Sequence, residues 1–507
     1  MEIKTIRGKL ALLTLNGDVF DFSVRAIAAY LKSRNFSVSI IHCLSAENKL
    51  SFSGDSRLSE KQLMILKKHC EGMSAVGISI LTTQYFNLAK QINNYLKKEL
   101  EIPIVWGGIP ILCSADFFLE VADYVCMGEG EVCMEEFLQN ITNETPVENT
   151  RGIAYKSKDG NIVYNNTIPL LDINSLPIPY FDPENHYFLR EDIVSLKDNM
   201  DLLYHPARSK GYRIFTIKGC PYKCAYCSNN RLSAVMGTQT LRKRNIDLII
   251  NELKAAKELI SGLSKVLFKE DDFYSRKENE LEELASKFQK EIGLTIKMNS
   301  TPSNIKRKNL DILKKYNIST EWIVLGLQAP SVRVNKEIYR RYFKRDEFIE
   351  KIHLLADRNI LTYIDTISAN PYETYDDKIE AVEFYIDLSE KLKDIKDSHR
   401  LVRIANHTLL FFPGTDLYDR ALKDGVINEL YIDQVLLKRR VHRYITDFDL
   451  DALILAMFRI SLKSKNRSYI KFMKNMPLLK FINSKIIRII IKIVYFVYCK
   501  IVYSGKY

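Results

Sequence analysis

Three cysteines with a characteristic spacing are the residues of this sequence best suited to metal chemistry. Cys220, Cys224 and Cys227 form a CxxxCxxC motif after an alternating apolar run at 212–217, which predicts a β-strand. A closed structural zinc site needs four ligands, and no second cysteine pair follows within zinc-finger range. Three thiolates suit a 4Fe–4S cluster, in which one iron stays open to an outside ligand. The alternative, three unrelated core cysteines, is disfavoured by the Gly-Cys-Pro context.

Short apolar runs alternate with helix-prone segments at the start of the chain. Strands are expected at 10–15, 37–41, 75–80 and 104–106, with helices between them. This alternation predicts a doubly wound parallel sheet, whose ligands bind at the carboxyl ends of the strands. Glycine and small polar residues stand at those ends, where they let a flat ligand or a phosphate approach the backbone. The candidate binding residues are Asn16, Ser79, Thr82, Gly107, Gly108, Gly128 and Glu129.

The same alternation returns after the cysteine motif. Further strands are expected at 265–269, 295–299, 321–325, 361–365 and 407–411. With the strand before the cysteines, this makes six strand–helix units. The predicted fold class is therefore α/β, with the cysteine loop at a strand end, where parallel sheets place their chemistry.

The cysteine motif resembles that of a known family. CxxxCxxC with an aromatic residue, here Tyr226, before the third cysteine is the signature of the radical SAM enzymes. The resemblance implies that the open iron binds the amino and carboxylate groups of S-adenosyl-L-methionine (SAM), which is cleaved to a 5′-deoxyadenosyl radical. It also implies a partial (βα)6 barrel, and it makes Tyr226 a candidate contact of SAM.

The resemblance extends to other strand ends of the barrel. Glu270 and Asp271 stand where the family has an acidic strand end near the SAM amino group, although helix capping is an equal alternative. Gln328 replaces a residue that is usually Glu in the family, so its role is open. Arg340 matches an arginine that could pair with the SAM carboxylate, and its neighbour Arg341 keeps that assignment open.

The first domain resembles the cobalamin-binding domain that is fused to one large class of radical SAM enzymes. The resemblance rests on the segments 77–83, 107–110 and 123–131, the last of which ends in Gly-Glu-Gly-Glu. The chain lacks the Asp-x-His-x-x-Gly motif that supplies a histidine ligand to cobalt in mutases. We therefore expect His42 to be a strand-end histidine, and cobalamin to bind without a histidine ligand. An empty, vestigial domain is the alternative.

The formal net charge of +12 belongs to the end of the chain. Residues 431–507 hold 16 Lys and Arg against 4 Asp and Glu, so the first 430 residues are close to neutral. Lys485, Arg488 and Lys492 share one face of an apolar helical pattern at 478–503, whose longest uncharged run is too short to span a membrane. This pattern predicts either peripheral contact with the inner face of a membrane or a cap on the barrel. Nucleic-acid binding is not expected, because no known reader module accompanies the charge.

Four regions are expected along the chain. They are a cobalamin-binding Rossmann-like domain at 1–145, a hairpin and Pro-rich linker at 146–205, a radical SAM partial barrel at 206–430 and a helical basic region at 431–507. A charged N-terminus without a signal peptide, together with nine cysteines, predicts a reducing, cytoplasmic location.

The resemblance implies a cobalamin-dependent radical SAM enzyme, and we expect a C-methyltransferase that uses methylcobalamin on an unactivated carbon. The alternative is a radical cyclase or carbon–carbon coupling enzyme that acts on a lipid-like substrate without methyl transfer. A non-catalytic cobalamin or redox-sensing module is a third hypothesis, which the intact cysteine motif disfavours. A reducing donor such as flavodoxin or ferredoxin is the expected partner.

Overall fold

The structure is a computed structural model that describes residues 8–15, 19–43, 57–179, 181–437 and 450–464, together with residues 468, 470 and 471. Asn16 and the basic segment at 478–503 lie outside these described residues. Among the described residues, no helix combines the length and the apolar character that crossing a membrane requires.

A nine-stranded sheet organises the first part of the chain, with the strand order β7-β6-β5-β4-β3-β1-β2-β8-β9. The strands are β1 (Lys9–Thr14), β2 (Ser37–His42), β3 (Ala75–Ser79), β4 (Ile104–Gly107), β5 (Tyr124–Cys126), β6 (Ile153–Lys156), β7 (Ile162–Tyr164), β8 (His186–Leu189) and β9 (Ile193–Ser195). The first five strands pair in parallel, and β1–β4 correspond to the four predicted strands, whereas β5 was not among them. The segment expected to be a linker adds two antiparallel strands to one edge and the pair β8–β9 to the other.

Helices cover both faces of this sheet. They are α1 (Phe22–Ser33), α2 (Glu60–Cys70), α3 (Phe86–Leu100), α4 (Ile109–Cys113), α5 (Ala115–Phe118) and α6 (Gly130–Thr142). In β1, Leu10 and Leu12 pack into one hydrophobic cluster, whereas Ala11 and Leu13 pack into the cluster on the opposite face. Because both faces are buried, a continuous apolar run is what such a strand requires. The polar groups of the domain are therefore concentrated at the strand ends.

A second, six-stranded parallel sheet has the order β10-β13-β14-β15-β16-β17 and forms an open barrel. Its strands, with a separate two-stranded ribbon β11–β12, are β10 (Tyr212–Ile214), β11 (Ile217–Lys218), β12 (Arg242–Lys243), β13 (Lys265–Phe268), β14 (Thr295–Ser300), β15 (Thr320–Gln328), β16 (Leu361–Ser368) and β17 (Val402–Thr408). The helices are α7 (Asp201–Lys210), α8 (Ser228–Val235), α9 (Ile246–Leu259), α10 (Glu278–Glu291), α11 (Arg307–Lys315), α12 (Arg345–Asp357), α13 (Tyr375–Lys391), α14 (Ser398–Leu401), α15 (Asp416–Lys423) and α16 (Leu450–Ser464).

The last barrel strand differs from its predicted position at 407–411. It runs over Val402–Thr408, where Val402 and Ile404 join the main core of the barrel. The apolar residues that suggested the later position, Leu409 and Phe411, pack instead into a small cluster beside the cysteine loop. The run 409–412 is more continuously apolar than β17, in which polar residues separate or follow the buried ones, so hydrophobicity alone favoured the wrong segment.

Candidate active site

The cysteine motif lies on the loop between β11 and α8. Gly219 opens this loop with φ +97, and an added Cβ would lie 3.0 Å from the carbonyl oxygen of Thr240. Two backbone hydrogen bonds of 2.9 Å then attach the loop to the barrel. The Ala225 N–H donates to the Tyr339 carbonyl, and the Ala225 carbonyl accepts from the Leu417 N–H. Residues that follow β15 and β17 therefore hold the loop in place.

The three thiols of the loop fit an iron–sulfur cluster. Cys224 is buried, while Cys220 and Cys227 are half-buried. Burial raises the pKa of the Cys220 thiol to about 12 and that of Cys227 to about 11, so these thiolates need a cation that offsets their desolvation. Each thiolate of a cubane cluster binds its own iron, so the sulfurs do not have to converge on one point. Among the described residues, no three His, Cys, Asp or Glu side chains are grouped as ligands of a single ion.

Two carboxylates follow β13 in different environments. Glu270 is 2% exposed, and its carboxylate accepts a 2.7 Å hydrogen bond from the Thr216 hydroxyl. Asp271 accepts a 2.8 Å hydrogen bond from the side-chain amide of Asn229. Burial raises the pKa of both carboxyl groups. An ammonium group beside Asp271 would favour its charged form, which suits the amino group of SAM.

The two adjacent arginines point to different surroundings. Arg340 has φ +51, is exposed and donates to Asp416 Oδ2 over 2.6 Å. Arg341 donates to the Gly326 carbonyl over 2.8 Å and lies 3.4 Å from the Tyr226 hydroxyl. Burial by itself would lower the pKa of Arg341, but Tyr226 and Cys224 beside it raise that pKa. The geometry therefore directs Arg341, and not Arg340, toward the cysteine loop, which local sequence could not distinguish.

Gln328 and Tyr226 belong to the same neighbourhood as Arg341. Gln328 ends β15 with φ +64, and an added Cβ on Gly326 would lie 2.5 Å from the Gln328 amide nitrogen and 3.0 Å from an Arg341 nitrogen. The Tyr226 ring packs edge-on against Tyr339 at 5.0 Å. The structure thus brings Tyr226, Gln328 and Arg341 together beside the third and second cysteines of the loop.

A cavity of about 460 Å³ joins the carboxyl ends of the first sheet to the cysteine loop. From the first domain it is lined by Ser79, Gly107, Gly108, Gly128 and Glu129, and from the barrel side by Lys218, Gly219, Cys220, Asn229, Lys269, Glu270 and Asp271. Thr82 does not line it and donates instead to the Gln84 side chain over 3.0 Å. Five of the seven candidate residues of the first domain therefore meet in one cavity, whereas Asn16 lies outside the described residues.

Glycine is structurally required in the wall of this cavity. Gly108 has φ +130, and an added Cβ would lie 2.0 Å from the Ile80 carbonyl oxygen. Gly128 differs, because an added Cβ would meet no atom within 4 Å. With Gly77, Gly107 and Gly130 also in the lining, the wall exposes backbone and few charges, which fits a large flat ligand such as cobalamin.

His42 is a core residue and not part of the cavity. It is fully buried, and its Nε2 lies 2.7 Å from Nε2 of His186. Its ring stacks on Phe188 with 4.7 Å between ring centroids. No histidine is found among the described residues that line the cavity. The geometry agrees with the expectation that His42 is not a cobalt ligand.

A group of polar side chains lies on strands β16 and β17 of the barrel. In β15 and β16, buried residues alternate with half-exposed ones, which include the polar Gln328, Tyr363 and Asp365 and the apolar Trp322, Val324 and Ile367. Asp365 Oδ1 lies 3.5 Å from Nε2 of His407 on the next strand. Arg403 donates to the Tyr363 hydroxyl over 3.2 Å, and Asp365 raises the pKa of Lys269 against the stronger, lowering effect of burial. These charged and hydrogen-bonding side chains therefore lie close to Lys269, which lines the cavity.

Comparison with known protein families agrees with the two-domain arrangement. The model of the B12-binding domain matches residues 8–138, and that of the radical SAM superfamily matches residues 214–385. The chain belongs to the cobalamin-binding radical SAM enzymes.

The family confirms several of the predictions. The predicted α/β fold and the enzyme class are confirmed, and so are the three cofactors: a 4Fe–4S cluster, SAM and cobalamin. As a radical SAM enzyme, the protein acts on a small molecule and needs a reductant. The domain boundaries and the individual site residues stay predictions.

Similar proteins include methyltransferases. The chain is 21% identical over 365 residues to an uncharacterised methyltransferase of Pyrococcus horikoshii. This alignment covers 69% of this chain and 70% of that relative. It is 22% identical over 267 residues to the cytidylyl-2-hydroxyethylphosphonate methyltransferase of Streptomyces wedmorensis, covering 45% of this chain and 46% of that one. The family context is thus that of cobalamin-dependent radical SAM methyltransferases.

Two solved structures show the same fold at low identity. The radical SAM methyltransferase TsrM of Kitasatospora setae superposes with a TM-score of 0.63 and 15% identity, covering 82% of this chain and 76% of that one. The cobalamin-dependent radical enzyme OxsB superposes with a TM-score of 0.65 and 13% identity, covering 92% of this chain and 71% of that one.

Proposed function

We propose that this enzyme is a C-methyltransferase that acts on an unactivated carbon of a polar small molecule. The observation that carries the proposal is the single cavity between the first sheet and the cysteine loop, because it gives two cofactors a common space. When bound, the cluster and SAM supply a 5′-deoxyadenosyl radical, and cobalamin supplies the methyl group.

The residues of the chain contribute binding, orientation and exclusion of water. Cys220, Cys224 and Cys227 would hold the cluster, while Asp271 and Arg341 both lie near Cys227, where they could orient the amino and carboxylate groups of SAM. The glycine-lined wall would hold the corrin ring close to the backbone. Enclosure between two domains limits water and oxygen near a radical.

The polar side chains of β16 and β17 support a polar substrate over a lipid-like one. Asp365, His407 and Lys269 offer both an acceptor and donors next to the cavity. A hydrocarbon chain packed against them would remove water from charged and polar groups, which costs free energy. The lipid-like alternative and the membrane contact depend on residues 478–503, which lie outside the described residues. We therefore favour methylation of a polar molecule, with flavodoxin or ferredoxin as the electron donor.

Cofactor content and methyl labelling test this proposal. The protein is purified anaerobically from cells supplied with cobalamin, and iron, sulfide and corrinoid are measured in the same sample. We expect about four irons and about one corrinoid per chain. After reduction of the corrinoid, SAM with a deuterated methyl group should transfer its label to cobalt and, with a suitable substrate, to the product. A cluster without corrinoid, or a product that only loses hydrogen, would exclude cobalamin-mediated methylation and favour cyclisation or coupling.

A further inference from the structure

A two-stranded ribbon leads the chain into the cysteine loop. In this ribbon β11 pairs with β12, so that Lys218 stands directly opposite Arg242. Lys218 lies two residues before Cys220, and both cations line the cavity between the domains. Like charges directly opposite each other destabilise a strand pair unless a counter-charge lies between them. The ribbon therefore needs an acidic partner from elsewhere.

Glu129 of the first domain supplies that partner. Its Oε1 lies 3.1 Å from Lys218 Nζ and 2.5 Å from Arg242 Nη2, while its Oε2 accepts from Arg242 Nη1 over 3.0 Å. Glu131 adds a second carboxylate 3.7 Å from Lys218 Nζ. Two positive and two negative charges thus form a closed group, which we term the interdomain clamp: Glu129, Glu131, Lys218 and Arg242.

The clamp is withdrawn from water. The side chains of Glu129, Lys218 and Arg242 are 16–20% exposed, and that of Glu131 is 6% exposed. Burial by itself would raise the pKa of Glu129, but the bonds from Arg242 and Lys218 lower it. A bidentate arginine–carboxylate pair in such surroundings is stronger and more directional than an ion pair on the surface.

The clamp also connects the parts that carry the two cofactors. Glu129 lies between β5 and α6, at the strand-end surface that would hold the corrin ring. Arg242 donates in addition to the Leu171 carbonyl over 3.1 Å, in the segment between the domains. Both carboxylate oxygens of Glu129 are engaged by this chain, although the sequence suggested a contact with the cofactor.

We propose that Glu129 is a positioning residue that holds the cobalamin-binding sheet against the strand leading into Cys220 and so sets the distance between cobalt and cluster. The first sheet would hold cobalamin, and the loop that Gly219 opens directly after Lys218 would hold the cluster. A clamp between these two points reduces the relative motion of the two domains. This inference depends on the cofactors of the family and not on the proposed methylation.

The distance between the two metal centres can be measured without a substrate. Cob(II)alamin and the reduced cluster are both paramagnetic, and their dipolar interaction falls steeply with distance. Electron paramagnetic resonance of the holoenzyme should show one defined interaction in the wild type. In the near-isosteric Glu129→Gln variant we expect a weaker interaction with a broad distribution, with corrinoid content and cluster content unchanged.

Glu136→Gln is the matched control. Glu136 lies on the same helix α6 and also binds an arginine, Arg151, but this ion pair is exposed and lies within the first domain. Its spectrum should equal that of the wild type. If Glu129→Gln also gives the wild-type spectrum, the clamp does not set the distance and the proposal is wrong.

A double-mutant cycle separates positioning from a direct contact with the cofactor. Lys218→Met should change the spectrum as Glu129→Gln does, and the double variant should show no more than either single change. Additive effects, or loss of corrinoid from Glu129→Gln alone, would assign Glu129 to the cofactor and overturn the proposal. Should Lys218→Met fail to fold, Arg242→Lys serves in its place, because it keeps the positive charge but cannot form the two parallel hydrogen bonds to Glu129.

Discussion

The two strand-end surfaces of this enzyme bind their ligands by different means. The first sheet presents glycines and backbone, with a Cβ position at Gly108 that is blocked by the Ile80 carbonyl. The second sheet presents thiols, carboxylates and Arg341 around one loop. A large, flat ligand gains from close backbone approach, whereas a metal cluster and a zwitterionic ligand need matched charges. The central strands of both sheets are parallel, so the ligand preferences of the two sheets differ mainly because different residues end their strands.

Replacement of a cluster ligand should give the largest effect. Cys220→Ala removes one of three thiolates, so we expect iron to fall from about four per chain to near background and SAM cleavage to be lost. Cys113→Ala is the control, because this buried thiol lies in the first domain, outside the loop. It should keep both iron and activity. Iron retained in Cys220→Ala would mean that the cluster has other ligands.

Filling the glycine-lined wall should affect corrinoid without affecting the cluster. The Cβ of Gly128→Val would meet no atom within 4 Å, so the protein should fold normally while corrinoid affinity falls about tenfold, or about 1.4 kcal/mol. Equilibrium titration with hydroxocobalamin measures the affinity, and thermal melting checks the fold.

Gly108→Ala provides the contrasting result within the same wall. Its φ of +130 and the 2.0 Å approach to Ile80 should destabilise the domain by about 3 kcal/mol. If Gly128→Val bound corrinoid as the wild type does, this part of the wall would not face the ring.

The two arginines should differ in their effect on SAM. Arg341→Lys replaces the planar guanidinium beside the cysteine loop by an ammonium group that cannot bind a carboxylate through two parallel hydrogen bonds. We therefore expect SAM to bind about tenfold more weakly. Arg340→Lys changes an exposed pair with Asp416, and the dissociation constant should change less than about twofold. Isothermal titration of the holoenzyme with SAM measures both variants. Equal effects, or a larger effect of Arg340→Lys, would contradict this assignment.

Acid should weaken the ion pairs that Glu129 forms at the edge of the glycine-lined surface. The folded-state pKa of Glu129 lies below its ordinary value of 4.5, so its contribution to stability is present above that value and is lost as pH falls through the lowered pKa. The free energy of unfolding of the apo-protein should be about 1 kcal/mol lower in Glu129→Gln than in the wild type at pH 7. This difference should shrink below pH 4.5. A difference that is constant with pH would mean that the charge of Glu129 does not contribute.

Much of the fold followed from local patterns, and part of the site did not. Strands β1–β4 were predictable because both of their faces are buried and turn residues follow them, whereas the three-residue β5 is too short to show such a pattern. The position of β17 was not, because the run 409–412 is more apolar than the strand itself, in which the exposed Arg403 separates Val402 from Ile404. Thr82 matched a strand-end pattern, yet its hydroxyl bonds to Gln84 and lies outside the cavity.

The sequence by itself determined the chemistry. Three cysteines at CxxxCxxC spacing and glycines at successive strand ends specify a cluster loop and a surface for a flat ligand, because ligand type and backbone freedom are local properties. Only the tertiary structure decided which neighbours meet: Arg341 instead of Arg340 at the loop, and Glu129 against Lys218 and Arg242 across the domains. Those contacts join residues far apart in the chain, so they depend on how the two sheets pack and not on any local pattern.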